Sequence, residues 1–343
     1  MDSKTKTISL AHGAGGSLTQ KLLDDIIVPS FKNRSFKGGL GLNDLDDGGT
    51  IPVQDYEIVA TTDAHTVSPL FFPGGDLGTL AACGTINDVA VMGAEPVAMT
   101  SAVVMEEGFL ISDFKKILNS MNKILNETNV SLISGDTKVM PKGTLDGIII
   151  STTGIGIAKR GTVIVDSGLR PGNKLIISGS IGDHGIALVS KREGLSFETD
   201  LISDCAPVNE IIKAAMKPGG ITAMKDPTRG GVAACLNEFA SKSNVSIWID
   251  EEILPIKNAV KAACDMLGFD PLTITCEGKV VIGVEKDLAE ETLNLIKKTK
   301  YGKEARIIGE VKTERPGYVI LKTFIGGKRI IEMPRGEPIP RVC

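Results

Sequence analysis

The sequence of 343 residues is poor in aromatic residues, has no excess of basic charge and contains no long apolar run. Aromatic residues make up 4% of the chain, which argues against a base-stacking surface for single-stranded nucleic acid. The formal net charge of −4 argues against nucleic-acid binding through a basic surface. No segment has the apolar length of a membrane span or the apolar core of a signal peptide, so we expect a soluble, cytoplasmic protein.

Cysteine and histidine patterns typical of metal sites are missing as well. The six cysteines and three histidines are spread along the chain without a C-x-x-C or an H-x₃-H pair. This spacing disfavours a zinc site and a disulfide framework. Neither the Walker A pattern nor the glycine-rich kinase loop is present, so a bound nucleotide requires another architecture.

Glycine, in contrast, is abundant, with 39 residues, and the 42% of apolar residues suffice for a large core. The glycines follow no collagen-like period, so they serve turns and close approach to ligands. The chain is longer than one core usually supports, which predicts two domains. Alternating strand and helix patterns predict an α+β fold, with domains over 1–160 and 161–333 and a tail over 334–343.

Aspartates recur beside glycine turns, predicted strand ends and helix starts. Asp63 ends the strand EIVATTD, Asp136 ends SLISGD and Asp226 follows ITAMK, while Asp88 lies on the helix after the GGDLG loop. A fifth placement is the loop cluster of Asp44, Asp46 and Asp47. Carboxylates and glycine-loop N–H groups in such positions are what a magnesium–phosphate site needs. The alternative is that each aspartate only caps a helix or turn.

The final residue, Cys343, ends a segment stiffened by Pro334, Pro338 and Pro340. Ten residues at the polyproline rise span about 30 Å, so a thiol on this arm would reach a distant site. The simple alternative is a terminal cysteine without function. Because the cysteine is last, the segment lacks the C-a-a-X arrangement for prenylation.

Several motifs occur together and in order along the whole chain. They are HGAGG (12–16), TTDAHTVSPLFFPGGDLGTLAACGTINDVAVMGA (61–94), SGDTKVM (134–140), KDPTRGGV (225–232), CEGK (276–279) and PRVC (340–343). In this combination the chain resembles the HypE family of hydrogenase maturation proteins, within the PurM-like (aminoimidazole ribonucleotide synthetase-related) superfamily. The aspartates and glycines are typical of the superfamily, whereas SPLFFPGGD and the terminal Pro-Arg-Val-Cys are typical of the HypE family.

The resemblance implies a two-domain PurM-like fold with a mobile C-terminal tail and an ATP-dependent carbamoyl dehydratase activity. In this family a carbamoyltransferase, HypF, loads a carbamoyl group onto the C-terminal cysteine, which is Cys343 here. Dehydration converts the S-carboxamide into a thiocyanate, the source of the cyanide ligand on the iron of nickel–iron hydrogenase. A homodimer paired through the N-terminal sheets and a HypC–HypD maturation complex as a further partner are also implied, with no nucleic acid and no membrane.

The resemblance also implies roles for particular residues. It assigns Mg²⁺ to Asp47, Asp88 and Asp226, with Asp44 and Asp46 left open as alternatives to Asp47. It assigns the nucleotide ATP to Asp47, Asp63, Asn87, Asp88, Asp136, Thr137 and Asp226. Besides Cys343, it assigns proton handling near the incoming tail to Glu277 and Lys138.

Two other functions fit parts of the sequence. One is a PurM-like small-molecule kinase or synthetase in which Cys343 is incidental, and the other is a thiol carrier or scaffold that uses ATP only structurally. The chain also departs from the HypE pattern at Ala64-His65, where we expect a small hydroxyl residue and an aromatic. A further departure is Val342, where we expect isoleucine.

Overall fold

The computed structural model describes residues 7–194 and 201–335. The first half begins with helix α1 (Ser17–Leu22), which continues through a π-helical turn (Leu23–Ile27) into α2 (Val28–Ser30). The elements that follow are β1 (Gly49–Val53), β2 (Tyr56–His65), β3 (Phe71–Phe72), β4 (Gly75–Asp76), α3 (Leu77–Val91), β5 (Glu95–Glu106), α4 (Ile111–Thr128), β6 (Ser131–Met140) and β7 (Ile148–Lys159).

These strands form a five-stranded sheet in the order β1-β2-β7-β5-β6, and β3 pairs with β4 in a small hairpin. Strands β5 and β6 run parallel because the amphipathic helix α4 carries the chain from one to the other. Residues buried on α4 follow the helical period and pack on the core: Ile117, Met121, Ile124 and Leu125. Strand β6 forms one edge of this sheet.

Helix α3 is the central element of the molecule. Its cap is Asp76, whose Oδ1 accepts a hydrogen bond from the Thr79 backbone N–H at 2.9 Å. Small and apolar residues bury it on all sides, so it serves two cores at once. Its middle packs in the core of the first half, whereas Ala90 and Val91 belong to a cluster formed with the second half. The helix therefore packs against both halves.

The second half comprises β8 (Lys174–Ile177), α5 (Asp183–Glu193), α6 (Asn209–Ala215), β9 (Ile221–Lys225), α7 (Gly231–Lys242), β10 (Ser246–Asp250), α8 (Asn258–Leu267), β11 (Val281–Val284), α9 (Ala289–Lys297), β12 (Arg306–Lys312), β13 (Val319–Lys322) and β14 (Lys328–Ile331). A seven-stranded sheet runs β14-β13-β10-β12-β8-β11-β9. Its two faces carry separate cores, one under α7 and one under α6 and α9.

The predicted α+β class is confirmed, but two strands are longer than predicted. Strand β2 continues past Asp63 to His65, and β6 continues past Asp136 to Met140. Both aspartates therefore lie within strands, and the prediction that they end strands was wrong. The Gly-Asp of SLISGD has the residue types of a turn, but Gly135 lies within the strand. A Cβ there would be 2.5 Å from the backbone oxygen of Ser101, so the glycine permits the close approach of β5. Within the described residues, no helix has the length and apolar character to cross a membrane.

Candidate active site

Four of the predicted aspartates converge between the two halves of the molecule. Asp63 comes from β2, Asp88 from the last turns of α3, and Asp226 from the turn after β9. Asp47 joins them from the glycine-rich loop before β1. Burial raises the pKa of Asp88 well above its usual range, and the nearby Asp63, Asp226 and Asp47 raise it further. Residues far apart in sequence therefore form one acidic cluster.

Among the three loop aspartates, only Asp47 lies at this cluster. Asp44 Oδ2 accepts a hydrogen bond from the backbone N–H of Gly41 at 2.6 Å within its own exposed turn. Asp46 is paired with Lys242 at 3.3 Å. For Asp47, in contrast, burial raises the pKa well above its usual range; Lys225 opposes this shift, and the carboxylates of Asp166 and Asp226 add to it. The geometry thus favours Asp47 among the alternatives that the sequence left open.

Lys225, which sequence reasoning missed, is the cation inside this acidic site. Its ammonium group donates to Asp47 and lies 3.1 Å from Asp166 Oδ2 and 3.3 Å from Glu238 Oε2. Burial by itself would lower the pKa of Lys225, but the three carboxylates together raise it well above its usual range. The lysine is therefore charged and compensates part of the buried negative charge. Its position directly before Asp226 was the only sequence signal.

Burial also raises the pKa of Asp226 itself, to about 6, with Lys225 opposing the shift and Asp63 adding to it. One carboxylate oxygen of Asp226 and one of Asp47, both buried, have no hydrogen-bond partner. Buried carboxylate oxygens without partners are unusual in proteins and indicate a site that awaits a ligand. Hard oxygen donors of this kind suit Mg²⁺.

The carboxylates are not, however, a preformed metal cage. Within residues 7–194 and 201–335, no three His, Cys, Asp or Glu side chains are arranged to hold an ion by themselves. Mg²⁺ in nucleotide sites keeps several waters and takes one or two carboxylates together with phosphate oxygens. The donor set therefore fits a metal ion that arrives with a nucleotide.

Two glycine motifs, distant in sequence, meet beside the cluster. Gly15 of HGAGG has φ +76°, and a Cβ there would lie 2.5 Å from the Cβ of Arg229 in KDPTRGG. Only glycine fits both the backbone and the space. Gly15, Gly16, Asp47 and Asp226 line a cavity of about 240 Å³. Backbone N–H groups of such glycine loops are typical phosphate ligands.

The described part of the C-terminal segment begins at this cavity. Met333 lines it, and the carbonyl oxygen of Pro334 accepts a hydrogen bond of 3.1 Å from the Ser17 backbone N–H. Residues 336–343, including Cys343, lie outside the described residues. The root of the segment that carries the terminal cysteine is thus at the mouth of the cavity.

Glu277 is buried in the loop before β11, with 5% of its surface exposed. Burial raises the pKa of its carboxyl group well above the usual range; Asp226 and Asp204 raise it further, and Arg229 opposes them. Glu277 therefore belongs electrostatically to the aspartate cluster. A raised pKa makes the ionised carboxylate a stronger proton acceptor than that of an exposed glutamate.

Asn87, one residue before Asp88, is oriented toward the second half. Both N–H groups of its side-chain amide donate to backbone oxygens, of Ala206 at 3.1 Å and of Glu277 at 3.2 Å. Its Oδ1 accepts from the backbone N–H of Val208 at 2.9 Å. The two donors predicted to contact the nucleotide are thus used inside the protein.

Asp136, Thr137 and Lys138 are not brought to the cluster within one chain. They lie in the exposed edge strand β6, and Asp136 Oδ1 accepts only from the next backbone N–H, at 2.8 Å. In the sheet, Asp63 of β2 pairs with Thr152 of β7, and β5 and then β6 lie beyond β7. Three strand spacings, about 14 Å, therefore separate the strand of Asp63 from the strand of Asp136.

His65, at the departure from the HypE pattern, is part of a buried hydroxyl network. Its Nε2 lies 3.3 Å from Thr85 Oγ1 and 3.1 Å from Thr152 Oγ1. Thr85 in turn donates to Asp63 Oδ2 at 2.9 Å. Burial lowers the pKa of His65, while Asp63 opposes this shift. The departure from the HypE pattern at His65 is therefore linked through Thr85 to Asp63, a residue predicted to contact the nucleotide.

The five cysteines within the described residues are free thiols and form no disulfide. Burial raises the pKa of Cys235 and Cys276 well above the usual range, so neither is a ready nucleophile.

Two domain families match successive parts of the chain. Residues 45–158 match the N-terminal domain of the AIR synthase related proteins, and residues 170–322 match their C-terminal domain. Fold and site together thus define an AIR synthase related, PurM-like protein.

Individual relatives narrow this class. A hydrogenase expression/formation protein of Methanocaldococcus jannaschii is 50% identical over 337 residues, 98% of this chain and 99% of that protein. The carbamoyl dehydratase HypE of Rhizobium leguminosarum bv. viciae is 44% identical over 345 residues, 100% of this chain and 97% of that protein. The chain belongs to the HypE family of carbamoyl dehydratases, which confirms the resemblance.

Solved structures of the family superpose closely. A crystal structure of a HypE–HypF complex has a TM-score of 0.85 at 44% identity, covering 91% of this chain and 99% of that one. A HypE structure in complex with ATP has a TM-score of 0.81 at 37% identity, covering 98% of this chain and 100% of that one.

Proposed function

We propose that this protein dehydrates a carboxamide carried on Cys343 with the help of ATP. The carboxamide oxygen attacks the γ-phosphorus of ATP and ADP leaves, which converts a poor leaving group into a phosphate ester. The nitrogen loses its protons, the C–O bond breaks, and phosphate departs. The sum is S-carboxamide plus ATP giving S-cyanide, ADP and phosphate. The thiocyanate on Cys343 then serves as the cyanide source for nickel–iron hydrogenase, as in the HypE relatives.

The observation that carries this proposal is the position of Met333 and Pro334 at the cavity shared by the glycine loops, Asp47 and Asp226. Cys343 comes nine positions after Pro334, a reach of about 28 Å at the polyproline rise. The same chain therefore supplies the glycines and carboxylates of the cavity and, within this reach of Pro334, the carrier thiol.

Glu277 is the base in this proposal. Its carboxyl group is buried near Asp226, and its raised pKa makes its ionised form a strong acceptor for a nitrogen proton of the carboxamide. Asp47, Asp88 and Asp226 would hold Mg²⁺, which neutralises charge on the transferring phosphoryl group. Asp63 orients the nucleotide together with Thr85, which already donates to its carboxylate.

A homodimer accounts for the exposed strand β6. Leu132, Ile133 and Val139 on this edge are 51%, 61% and 61% exposed. A long apolar edge strand is rarely left open, and a second copy would cover it. Pairing there brings Asp136, Thr137 and Lys138 next to a partner copy, where we place their roles at the nucleotide and the tail. A β6 variant, Ile133→Glu, that stays dimeric in sedimentation would refute this interface.

The remaining assignments follow the family. HypF is the proposed donor of the carbamoyl group, since a relative forms a complex with it. The HypC–HypD complex is the proposed acceptor of the cyanide, and the cytoplasm the proposed location. We also propose the domain division at residue 160, because the matches to the AIR synthase related domains end at 158 and resume at 170.

Mass spectrometry of the C-terminal peptide tests the function. Carbamoylated protein incubated with ATP and Mg²⁺ should lose the mass of one water at Cys343 and release one ADP. ATP turnover that persists in Cys343→Ala and needs a free substrate would instead identify a small-molecule kinase. Absence of ATP hydrolysis with a loaded Cys343 would identify a carrier or scaffold.

Carboxylate variants test the nucleotide site in the same assay. Asp88→Asn and Asp226→Asn should weaken the use of Mg-ATP while far-UV circular dichroism stays unchanged. Wild-type turnover in both variants would remove the metal assignment.

A further inference from the structure

The peptide of Glu277 lies in an irregular loop between Thr275 and Val281, where no strand ladder holds it. Its backbone N–H donates to Asp204 Oδ1 at 3.1 Å, and its carbonyl oxygen accepts from Asn87 Nδ2 at 3.2 Å. Both partners are buried side chains that come from other segments of the chain. Two side chains therefore supply the backbone hydrogen bonds that a neighbouring strand supplies within a sheet.

The partners are themselves held in place. Asp204 Oδ2 lies 3.3 Å from Lys279 Nζ. The carboxylate that accepts from the Glu277 N–H is therefore paired with Lys279, two residues after Glu277. Gly278 makes this approach possible, because a Cβ there would lie 1.9 Å from the carbonyl oxygen of Asp204. In CEGK the glutamate, glycine and lysine thus have separate tasks: the carboxyl group, the close contact and the charge pair.

Asn87 is held by the loop over 206–208 through two more hydrogen bonds. It is adjacent to Asp88 on α3, and successive helical residues point about 100° apart. Asp88 faces β2, where Thr61 donates to its carboxylate at 3.1 Å, whereas Asn87 faces Glu277. One turn of one buried helix therefore touches both the acidic cluster and the loop of the base.

We propose that Asn87 and Asp204 are positioning residues that hold Glu277 at the reacting carboxamide. This inference rests on the proposed function. It changes the role of Asn87, because its amide orients the base instead of contacting the nucleotide. An error of about 1 Å in the position of a catalytic group costs roughly a hundredfold in rate, so such residues have a measurable effect without touching substrate.

The first test separates positioning from nucleotide binding by kinetics. Asn87→Asp keeps the acceptor for Val208 and removes both donors. We expect kcat of dehydration to fall about 10- to 100-fold, with KM and Kd for ATP within about twofold of wild type. A tenfold weaker ATP affinity with little change in kcat would show that Asn87 contacts the nucleotide and would overturn the inference.

Asp204 offers a graded series. Asp204→Asn retains an acceptor for the Glu277 N–H, so it should keep more activity than Asp204→Ala. Equal losses in the two variants would contradict a role through that hydrogen bond.

The matched control is Asn173→Ala. Asn173 is another buried asparagine, whose Oδ1 accepts from the Arg170 N–H at 2.8 Å and from the Thr222 hydroxyl at 2.9 Å. It should lower the melting temperature without changing kcat. If kcat of this control fell in proportion to its melting temperature, the loss of kcat in the Asn87 and Asp204 variants would be explained by lower stability alone.

Hydrogen exchange provides a readout that does not depend on the reaction. In Asn87→Ala the peptide covering 274–280 should exchange at least about tenfold faster, while α4 and β7 stay protected. Unchanged exchange over 274–280 would overturn the positioning role even if activity is lost. If wild-type protein fails to dehydrate Cys343, the proposed function fails, and the exchange result still decides whether Asn87 holds this loop.

Discussion

Ser17 donates its backbone N–H to the carbonyl oxygen of Pro334 at 3.1 Å. Ser17 is the first residue of α1, where N–H groups have no partner within the helix. The hydrogen bond ties the helix that follows HGAGG to the root of the C-terminal segment. The glycine loop HGAGG and the start of the C-terminal segment are therefore attached to each other.

This attachment can be broken by a single substitution. Ser17→Pro removes the N–H, and proline is well tolerated at the first position of a helix. Loss of one hydrogen bond of about 1 kcal/mol should slow single-turnover dehydration of carbamoylated Cys343 roughly fivefold, because the arm is less often delivered to the cavity. Ser17→Ala keeps the backbone N–H and should react like wild type. Equal rates for the proline and alanine variants would show that the contact does not guide the arm.

Removal of the Lys225 ammonium should destabilise the protein near neutral pH. Lys225→Met removes the Lys225 charge from Asp47 and Glu238, whereas Asp166 keeps Lys242 at 3.1 Å. Breaking such buried pairs costs about 3–5 kcal/mol. The deficit should shrink as the pH falls toward 5, since burial raises the pKa of Asp47 and its unpaired carboxylate then takes up a proton. Urea denaturation at pH 5 and pH 8 measures this, with Lys242→Met as the more exposed control. A deficit independent of pH would exclude the electrostatic cause.

Asp226→Asn should stabilise the free protein at alkaline pH. Burial raises the pKa of Asp226 from 3.8 to about 6, so ionisation disfavours the folded state as the pH rises through 6. The shift corresponds to about 3 kcal/mol lost by wild type at pH 8 but not at pH 4. Without Mg²⁺ and ATP, the variant should match wild type in urea unfolding at pH 4 and exceed it at pH 8. A variant that is less stable at pH 8 would mean that Lys225 overcomes the burial of this charge.

Gly278→Ala should damage the loop of Glu277 through sterics alone. The new Cβ would meet the Asp204 carbonyl oxygen at 1.9 Å, so the loops must separate, at a cost of about 1–3 kcal/mol. Thermal unfolding and the dehydration assay should both reveal the loss. Gly49→Ala is the matched control, because its Cβ would lie at an ordinary 3.4 Å from the Leu40 carbonyl oxygen. A Gly278→Ala variant with the stability of this control would contradict the close packing of 204 against 278.

Much of the fold follows from local patterns. The amphipathic period of α4 and the β-branched run of β7 predict both elements, and KDPTRGG predicts the turn that places Asp226 before α7. The sequence predicts that strand β6 ends at Asp136, because glycine, here Gly135, is typical of turns; the strand in fact continues to Met140. Its continuation depends on pairing with β5, which is a contact with another part of the chain.

The sequence alone determined the α+β class and pointed to the aspartates and the terminal cysteine, because periodicity and turn residues are local properties of a chain. The family followed from the resemblance of its combined motifs to a known family. The tertiary structure decided which of these side chains meet. Lys225 and Asp47 are 178 residues apart and yet paired, and the side chain of Asn87 donates to the carbonyl oxygen of Glu277. Such pairs arise only when two halves close around α3, since burial then gives each charge and donor a partner that sequence distance does not reveal.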